Sequence, residues 1–304
     1  MIRKREERKG RMLDFRIYTF LELCKTLSYT KTAENLHMTQ PAVTQHIKFL
    51  EEFYKNKLFL YSGRTLSLTE YGKLLYRYLV AMNSDSEKIK EKILNLSSNI
   101  HALNFGATLT IGEYLIPRVL KKLSSDYPEI NVSISVKDTK LLLEKLENGD
   151  IDFLLVEGFF EKTKYDSFLF SKEEFVAVCS NKSRFAQGEF TFEELLGERI
   201  IVREKGSGSR DIFEKILYDN NLSVNDFNKK YEIENIKVIK EMVKEERGIT
   251  FIYKTAVEKE VDNKELAIIN LKNFHAEREF NFVFLKDSIH KEEYKNWFEF
   301  MKKC

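Results

Sequence analysis

The chain has 304 residues, 43% hydrophobic and 32% charged, with 3 Pro and 12 Gly, which suits two or three folded domains and excludes collagenous or disordered proteins. No apolar stretch approaches the roughly 18 residues of a membrane-spanning helix, and no apolar core of a secretory signal follows the basic segment 1–11. The net charge of +2 divides into +5 for residues 1–72 (13 Lys and Arg against 8 Asp and Glu) and −3 for the rest (37 against 40). This asymmetry favours a polyanion-binding N-terminal module on a body with another task.

The first 54 residues predict three short helices. Apolar residues recur at helical spacing over residues 14–27, and Ser28 is a suitable cap for a second helix through residue 36. Thr39 is expected to cap a third helix, with Pro41 in its first turn, where a missing N–H costs nothing. The predicted inward side chains of the third helix are Val43, Ile47 and Leu50.

Two short strands and a long helix are predicted next. The strands fall within residues 57–68, around a turn at 62–64, and Thr69 caps a helix over residues 70–97. The apolar stripe of this helix is longer than a small domain needs and comprises Leu74, Tyr78, Met82, Ile89, Ile93 and Leu96. We expect it to pack on its twin in a second subunit; the alternative is a helix that lies on its own chain.

Beyond residue 101, strands alternate with helices, which is the pattern of an α/β fold. The predicted strands are residues 101–107, 130–136, 151–156, 175–179, 199–203 and 249–253, and the predicted helices include 110–125, 139–148 and 291–303. Segment 151–156 is almost continuously apolar, as in a strand buried on both faces, so we predict two doubly wound lobes. The last helix would pack Tyr294, Trp297, Phe298 and Met301 on the first of these lobes.

The outward face of the third helix is polar and has no carboxylate before Glu51. Its exposed side chains would be Thr39, Gln40, Pro41, Thr44, Gln45 and Lys48. Gln reads adenine through its amide, and Thr and Lys reach bases or phosphates. This face therefore suits a recognition helix in the major groove of DNA. Arg64, outside the helix, is expected to bind a phosphate. The alternative is a helical bundle whose polar face only meets water.

Several blocks of the chain resemble LysR-type transcriptional regulators. The N-terminal blocks are Thr39-Gln40-Pro41-Ala42-Val43-Thr44, Leu50-Glu51, Leu58-Phe59, Leu68-Thr69 and Gly72. The later blocks are residues 106–117, Gly149-Asp150-Ile151-Asp152, Leu155-Val156-Glu157-Gly158 and residues 203–210. Because the blocks follow one another in the order found in the family, the resemblance covers residues 12 to about 300.

The resemblance implies a winged helix-turn-helix DNA-binding domain (residues 1–72), a linker helix for dimerisation (73–98) and an effector-binding domain (99–304) that resembles type 2 periplasmic binding proteins. Lobe 1 would span about 99–168 and 268–304, and lobe 2 about 169–267. Such a protein is a regulator and not an enzyme. It would bind AT-rich promoter dyads in double-stranded DNA as a homodimer or homotetramer, controlled by a small-molecule coinducer. RNA polymerase is a further candidate partner, and the expected location is the cytoplasm, at the bacterial nucleoid.

Three positions depart from the family pattern. Gln45 stands where the family often has Arg, and Tyr61 replaces the usual Arg at the start of the wing. Lys48, Lys57, Arg64 and the basic segment 1–11 are candidates to compensate. If they do not, nonspecific DNA affinity and its salt dependence are expected to be lower than in relatives. Lys55 replaces the Gly that closes the recognition helix, so either Lys55 adopts positive φ or the helix ends differently.

The effector site is predicted at strand-to-helix junctions between the lobes. The candidate residues are Thr108, Leu109, Thr110, Asp138, Thr139, Arg203, Gly206, Ser207 and Gly208. Hydroxyls and free N–H groups at helix starts suit an anion, although such residues are also ordinary helix caps. The effector-domain blocks resemble those of sulfur-assimilation and other anion-responsive members, which suggests a small oxyanion or carboxylate. Asp138, where the family commonly has Asn, would repel an anion unless Arg203 or Lys137 neutralised it.

No catalytic site, metal or cofactor other than the coinducer is predicted. The five His residues lack metal-ligand spacing with Cys or carboxylates, and no Gly-Lys-Ser/Thr follows residues 206–208 to form a phosphate-binding loop. Cys24, Cys179 and Cys304 are far apart in sequence, which fits reduced thiols in the cytoplasm. The rival hypothesis is a cytoplasmic solute-binding or catalytic α/β protein with a helical protein-interaction module.

Overall fold

The computed structural model describes residues 12–95, 102–157 and 159–304. The N-terminal elements are α1 (Phe15–Thr26), α2 (Tyr29–Asn35), α3 (Gln40–Tyr54), β1 (Phe59–Ser62), β2 (Thr65–Leu68) and α4 (Glu70–Asn95). The later strands are β3 (Ala102–Ala107), β4 (Asn131–Val136), β5 (Phe153–Val156), β6 (Tyr165–Ser180), β7 (Glu189–Phe190), β8 (Arg199–Val202), β9 (Lys229–Glu232), β10 (Ile249–Tyr253), β11 (Leu266–Ile268), β12 (Asn270–Leu271) and β13 (Glu277–Leu285). The later helices are α5 (Leu109–Tyr114), α6 (Ile116–Asp126), α7 (Thr139–Asn148), α8 (Phe192–Leu195), α9 (Gly208–Asp219), α10 (Ile236–Lys244), α11 (Glu258–Asp262) and α12 (Lys291–Lys302).

Helix caps hold the N-terminal bundle where the sequence predicts them. The Ser28 hydroxyl accepts a hydrogen bond from the backbone N–H of Lys31, and the Thr39 hydroxyl accepts one from Ala42. Each such cap contributes about 1 kcal/mol, because it satisfies an N–H that the helix leaves free. The three predicted helices are confirmed, and their shared core includes the buried side chains of Phe20, Leu23, Val43, Ile47 and Leu50.

The predicted pair of strands is also confirmed. β1 and β2 pair antiparallel around Gly63, which has a φ of 62°. Gly72, in the first turn of α4, lies so close to the start of this hairpin that an added Cβ would be 2.1 Å from the carbonyl oxygen of Leu58. Only glycine therefore lets α4 pack against the hairpin at this point.

Helix α4 has two different faces. One face packs on its own chain, where Leu79 and Val80 belong to the same buried cluster as Leu142 and Leu146 of α7. This is the alternative packing considered from the sequence. Most of the predicted dimer stripe is exposed on the other face, as Leu74, Tyr78, Met82 and Ile93, whereas Ile89 is half-buried and Leu96 lies outside the described residues.

One nine-stranded sheet runs through both lobes, in the order β4-β3-β5-β13-β6-β10-β8-β9, with β11 also paired to β6. β6 joins the lobes, because its residues through Glu174 pair with β13 and those from Phe175 pair with β10. The predicted boundary near residue 168 thus falls inside this strand. The chain also returns from lobe 2 to lobe 1 later than residue 268, since β12 still pairs with β7 before β13 begins at Glu277.

The prediction of one continuous helix over residues 110–125 is wrong. The chain instead forms α5 and α6, which are separated at Leu115. Pro117 lies in the first turn of α6, where its lack of an N–H is tolerated at a helix start but not within a continuous helix. The strand predicted at 175–179 is the C-terminal part of β6, which begins at Tyr165. The predicted strands 151–156 and 101–107 begin at Phe153 and Ala102, with residue 101 outside the described part.

The last helix packs as predicted. Tyr294, Phe298 and Met301 of α12 are buried in the main hydrophobic cluster, and the ring of half-buried Trp297 is tilted against that of Tyr127, with ring centroids 5.5 Å apart. Among the residues that the structure describes, no helix combines the length and the apolar character needed to cross a membrane.

Candidate nucleic-acid interface and effector site

The polar side of α3 faces outward. Val43, Ile47 and Leu50 point into the bundle, and the exposed positions are Thr39, Gln40, Pro41, Thr44, Gln45 and Lys48. A hydrogen bond of 2.9 Å between the Thr19 hydroxyl and Nδ1 of His46 ties α3 to α1. Burial and the Arg16 charge lower the pKa of His46, which favours the neutral ring in this contact. The helix therefore offers a rigid polar ridge of a size that the major groove accepts.

The end of α3 shows how the chain accommodates Lys55 and what Lys57 contacts. Lys55 ends the helix with a φ of 54°, in the left-handed region where the family usually has Gly. Lys57 forms an ion pair of 2.5 Å with Glu51, whose other carboxylate oxygen accepts the backbone N–H of Leu58 at 3.0 Å. Lys57 is thus engaged by its own chain and is poorly placed to replace a missing phosphate contact. Arg64 is exposed in the turn of the hairpin.

A buried polar junction joins α4 to lobe 1. Asp85 accepts hydrogen bonds from the Ser288 hydroxyl at 2.6 Å and from the backbone N–H of Ile289 at 3.0 Å. One turn later, the ammonium of Lys88, only 8% exposed, lies 3.0 Å from Asp152 and 3.2 Å from Glu293. Buried charges are tolerated only where they are well paired, so this junction favours one docking geometry of helix and lobe.

Further contacts extend the same junction. Arg77 of α4 pairs with Asp287 at 2.9 Å. Glu147, near the end of α7, accepts hydrogen bonds from the hydroxyls of Tyr76 at 3.1 Å and Tyr165 at 2.6 Å. No local pattern in the sequence predicts this junction, because its partners are up to 204 residues apart.

A carboxyl group occupies the first predicted effector junction. The Thr108 hydroxyl donates a hydrogen bond to Oε2 of Glu157, and the Thr110 hydroxyl lies 3.4 Å from Oε1. All three side chains are buried. Burial raises the pKa of Glu157, while the Thr108 hydrogen bond and the Arg203 charge act in the opposite direction. The structure thus brings Thr108 and Thr110 together, but around a group that was not predicted as a site residue.

The second lobe contributes a cation and an uncapped helix start. Arg203, at the end of β8, forms two hydrogen bonds of 2.8 Å with Glu204. Gly206 has a φ of 92°, and buried Ser207 precedes α9 without capping it through its side chain. Gly208 is the first residue of α9. The first N–H groups of this helix therefore lack a side-chain acceptor from Ser207.

The remaining predicted residues have more ordinary roles. Asp138 is exposed and caps α7 by accepting the N–H of Leu141 at 2.9 Å, and Thr139 is the first residue of α7. Leu109 is partly buried against the apolar cluster of lobe 2. The lobes also meet where the Lys240 ammonium lies 5.0 Å from the ring of Tyr114. Part of α5 thus forms the contact between lobes.

The described residues hold no group of three or more His, Cys, Asp or Glu side chains arranged to bind a metal ion. Burial raises the pKa of Cys179 to about 11 and also raises the pKa values of Cys24 and Cys304. A thiolate is disfavoured at each position, so none of the three has the character of a reactive cysteine.

Two family descriptions match the chain. The bacterial regulatory helix-turn-helix of the lysR family matches residues 16–73, and the LysR substrate binding domain matches residues 98–303. The HTH-type transcriptional regulator CysL of Bacillus subtilis is 27% identical over 267 residues, which cover 87% of this chain and 88% of CysL.

Two solved structures have a similar fold. A hydrogen peroxide-bound mutant of OxyR from Corynebacterium glutamicum aligns with a TM-score of 0.61 at 20% identity, over 95% of this chain and 91% of that one. The regulatory domain of CcmR from Synechocystis PCC6803, in complex with 2-PG, aligns with a TM-score of 0.60 at 21% identity, over 67% of this chain and 96% of that domain.

Proposed function

The chain belongs to the LysR family of bacterial transcriptional regulators, and we propose that it reads promoter DNA with the outward face of α3. As a member, it is a DNA-binding regulator controlled by a small-molecule coinducer, and its relatives are regulators and not enzymes. The rival hypothesis of a solute-binding or catalytic protein is therefore not retained.

The exposure of one side of α3 carries the proposal for DNA. Gln40 and Thr44 are four residues apart on that side, so both side chains reach the same groove, and Lys48 follows one turn later. The amide of Gln40 suits adenine, whereas Lys48 and Arg64 suit phosphates. Gln45 and Tyr61 supply no positive charge, so this surface depends more on base contacts than on phosphate neutralisation.

The exposed stripe of α4 supports a homodimer. Leu74, Tyr78 and Met82 lie on the face that the chain's own lobe leaves uncovered. Pairing with a second copy would remove this apolar surface from water and place two recognition helices on one DNA dyad. We propose that the protein binds AT-rich, twofold-symmetric sites at the nucleoid in the cytoplasm, as such a homodimer or as a homotetramer. RNA polymerase is proposed as a further partner.

The interlobe junction is proposed as the effector site. Arg203 provides a positive charge, and α9 begins without a side-chain cap from Ser207, both of which favour a small anion. The candidate contacts remain Thr108, Leu109, Thr110, Asp138, Thr139, Arg203, Gly206, Ser207 and Gly208. An anion bound between the lobes would stabilise one relative arrangement of them, to the extent that it binds that arrangement more tightly.

The junction at Asp85 supplies a route from the effector site to DNA. It fixes α4 on lobe 1, so a change in lobe arrangement is transmitted to the helix that separates the two recognition helices of a dimer. Because the junction favours one docking geometry, α4 would move together with lobe 1 when the lobes change their relative arrangement.

Genomic fragments retained by the full-length protein test this function most broadly. Sequencing them should reveal an enriched, AT-rich motif of twofold symmetry, whose half-sites lie whole helical turns apart. Retention without an enriched motif would contradict sequence-specific reading by α3.

A further inference from the structure

The most unusual group between the lobes is the carboxyl of Glu157. It follows the buried strand β5 and is 7% exposed. The hydroxyls of Thr108 and Thr110, two donors that an anionic effector would be expected to use, both point to this carboxyl. The proposed effector site therefore already contains one negative group of the chain itself.

The surroundings only partly compensate the charge of Glu157. Arg203 faces it from the end of β8 but is also paired with Glu204. Tyr253 faces it from the end of β10; its ring is fully buried, and its hydroxyl has no hydrogen-bond partner among the described residues. The charges of Arg278 in β13 and Glu173 in β6 act on the pKa of Tyr253 with opposite signs, Arg278 lowering it and Glu173 raising it.

Two negative groups cannot share such a site without a proton. Like charges in a poorly solvated pocket disfavour ionisation of one another, and the usual outcome is that one of them binds a proton. Burial already raises the pKa of Glu157, so this carboxyl is the group that most readily takes one up. Once protonated, it changes from an acceptor into a hydrogen-bond donor.

We propose that Glu157 takes up a proton from solvent when an anionic effector binds between the lobes and then donates a hydrogen bond to it. The inference rests on the proposed effector site and adds its selectivity. The site would bind small anions that accept a hydrogen bond, and its affinity for them would be higher in acid. Glu157 is thereby a specificity-determining residue.

Calorimetric titration of the full-length protein with sulfate, and in parallel with nitrate, tests the inference. Both probes keep their charge between about pH 5.5 and 8.5, so any pH dependence belongs to the protein. For the natural chain, the Kd should rise by up to about tenfold per pH unit above the pKa of Glu157, with one proton taken up per anion. Glu157→Gln should bind with a pH-independent Kd, tighter than the natural chain at the alkaline end.

Two further variants control this result. Glu299→Gln removes one negative charge from an exposed position of α12, outside the candidate contacts, and should keep the pH dependence of the natural chain. Thr108→Val removes a hydrogen bond that favours the ionised carboxylate, so the alkaline weakening should begin at a higher pH. This second variant keeps the test decisive if Glu157→Gln does not fold.

The outcomes separate this inference from the proposed site. Hydrogen exchange locates the bound anion: protection of residues 104–114 and 205–213 places it between the lobes. If these residues are protected but the Kd of the natural chain does not depend on pH, or Glu157→Gln keeps the pH dependence, the role of Glu157 is overturned and the interlobe site is not. Binding without that protection overturns the interlobe site. The inference is also overturned if neither sulfate nor nitrate binds to the natural chain in acid or to Glu157→Gln, since a site with an uncharged residue 157 should bind either anion.

Discussion

The hydroxyl of Ser288 donates a hydrogen bond of 2.6 Å to Asp85, 203 residues earlier in the chain. This contact joins the middle of α4 to the turn between β13 and α12, and both side chains are buried. It is the clearest physical link between the DNA-binding part of the regulator and its effector domain.

Asp85→Ala should lower the free energy of unfolding by about 1–3 kcal/mol, because the Ser288 hydroxyl and the Ile289 N–H would stay buried without an acceptor. Urea denaturation of the full-length chain measures the loss. Ser86→Ala is the matched control: this buried hydroxyl donates to the Asn83 carbonyl of its own helix, so its removal breaks no contact between helix and lobe among the described residues and should cost less. Equal stability of Asp85→Ala and the natural chain would contradict a stabilising role for this contact.

Lys55→Gly should raise the free energy of unfolding by about 1 kcal/mol, because a side chain at a φ of 54° costs energy that glycine avoids. Lys55→Ala should give no such gain, since it removes the charge and keeps the Cβ. Thermal or urea denaturation compares the two variants. A gain shared by both would point to charge and not to backbone conformation.

Acid should destabilise the junction through His290. Burial, together with Lys88 and Lys92, lowers the pKa of His290 below its ordinary 6.5. The unfolded chain then binds the proton more readily, so this contribution is complete above about pH 6.5 and is lost as the pH falls toward the lower folded pKa. His290→Gln should reduce the fall in urea midpoint between about pH 7.5 and 5.5, whereas Ile289→Gln, at the exposed neighbouring position without a titratable group, should not. An unchanged fall in His290→Gln would exclude this residue as its source.

Tyr78→Glu combined with Met82→Glu should shift the protein from dimer toward monomer, because both side chains lie on the exposed apolar stripe of α4. Sedimentation velocity measures the change. Exchanging the charges of the exposed pair Glu70 and Lys73 on the same helix should leave the assembly unaltered. A dimer that persists in the double Glu variant would place the subunit interface elsewhere.

The sequence predicted the elements whose causes are local. Thr39 and Ser28 cap helices through contacts three residues away, and inward residues at helical spacing identified α3 and its outer face. The break between α5 and α6 was missed although Pro117 marks it, because an apolar pattern continues across Leu115. The first half of β6 was missed because its mixed polar and aromatic residues show no strict alternation.

The site was predicted in part. Thr108 and Thr110 were identified at a strand-to-helix junction, but Glu157 was not, since its role depends on the pairing of β3 with β5. That pairing aligns Ala107 with Leu155 and so brings the two strand ends together. A carboxylate directly after a fully apolar strand was the available signal, because such strands are buried on both faces and their carboxyl ends border the ligand crevice of an α/β sheet.

Reading of DNA by α3 is tested most directly by fluorescence anisotropy with a fragment enriched from the genome. Each base contact contributes about 1–3 kcal/mol, so Gln40→Ala with Thr44→Ala should weaken specific binding at least about tenfold and leave binding to unrelated DNA and thermal stability unchanged. Lys215→Ala with Asp219→Ala, at the same spacing on the distant helix α9, should bind like the natural chain. Undiminished specific affinity in the Gln40 and Thr44 variant would contradict the assignment of this face as the DNA-reading surface.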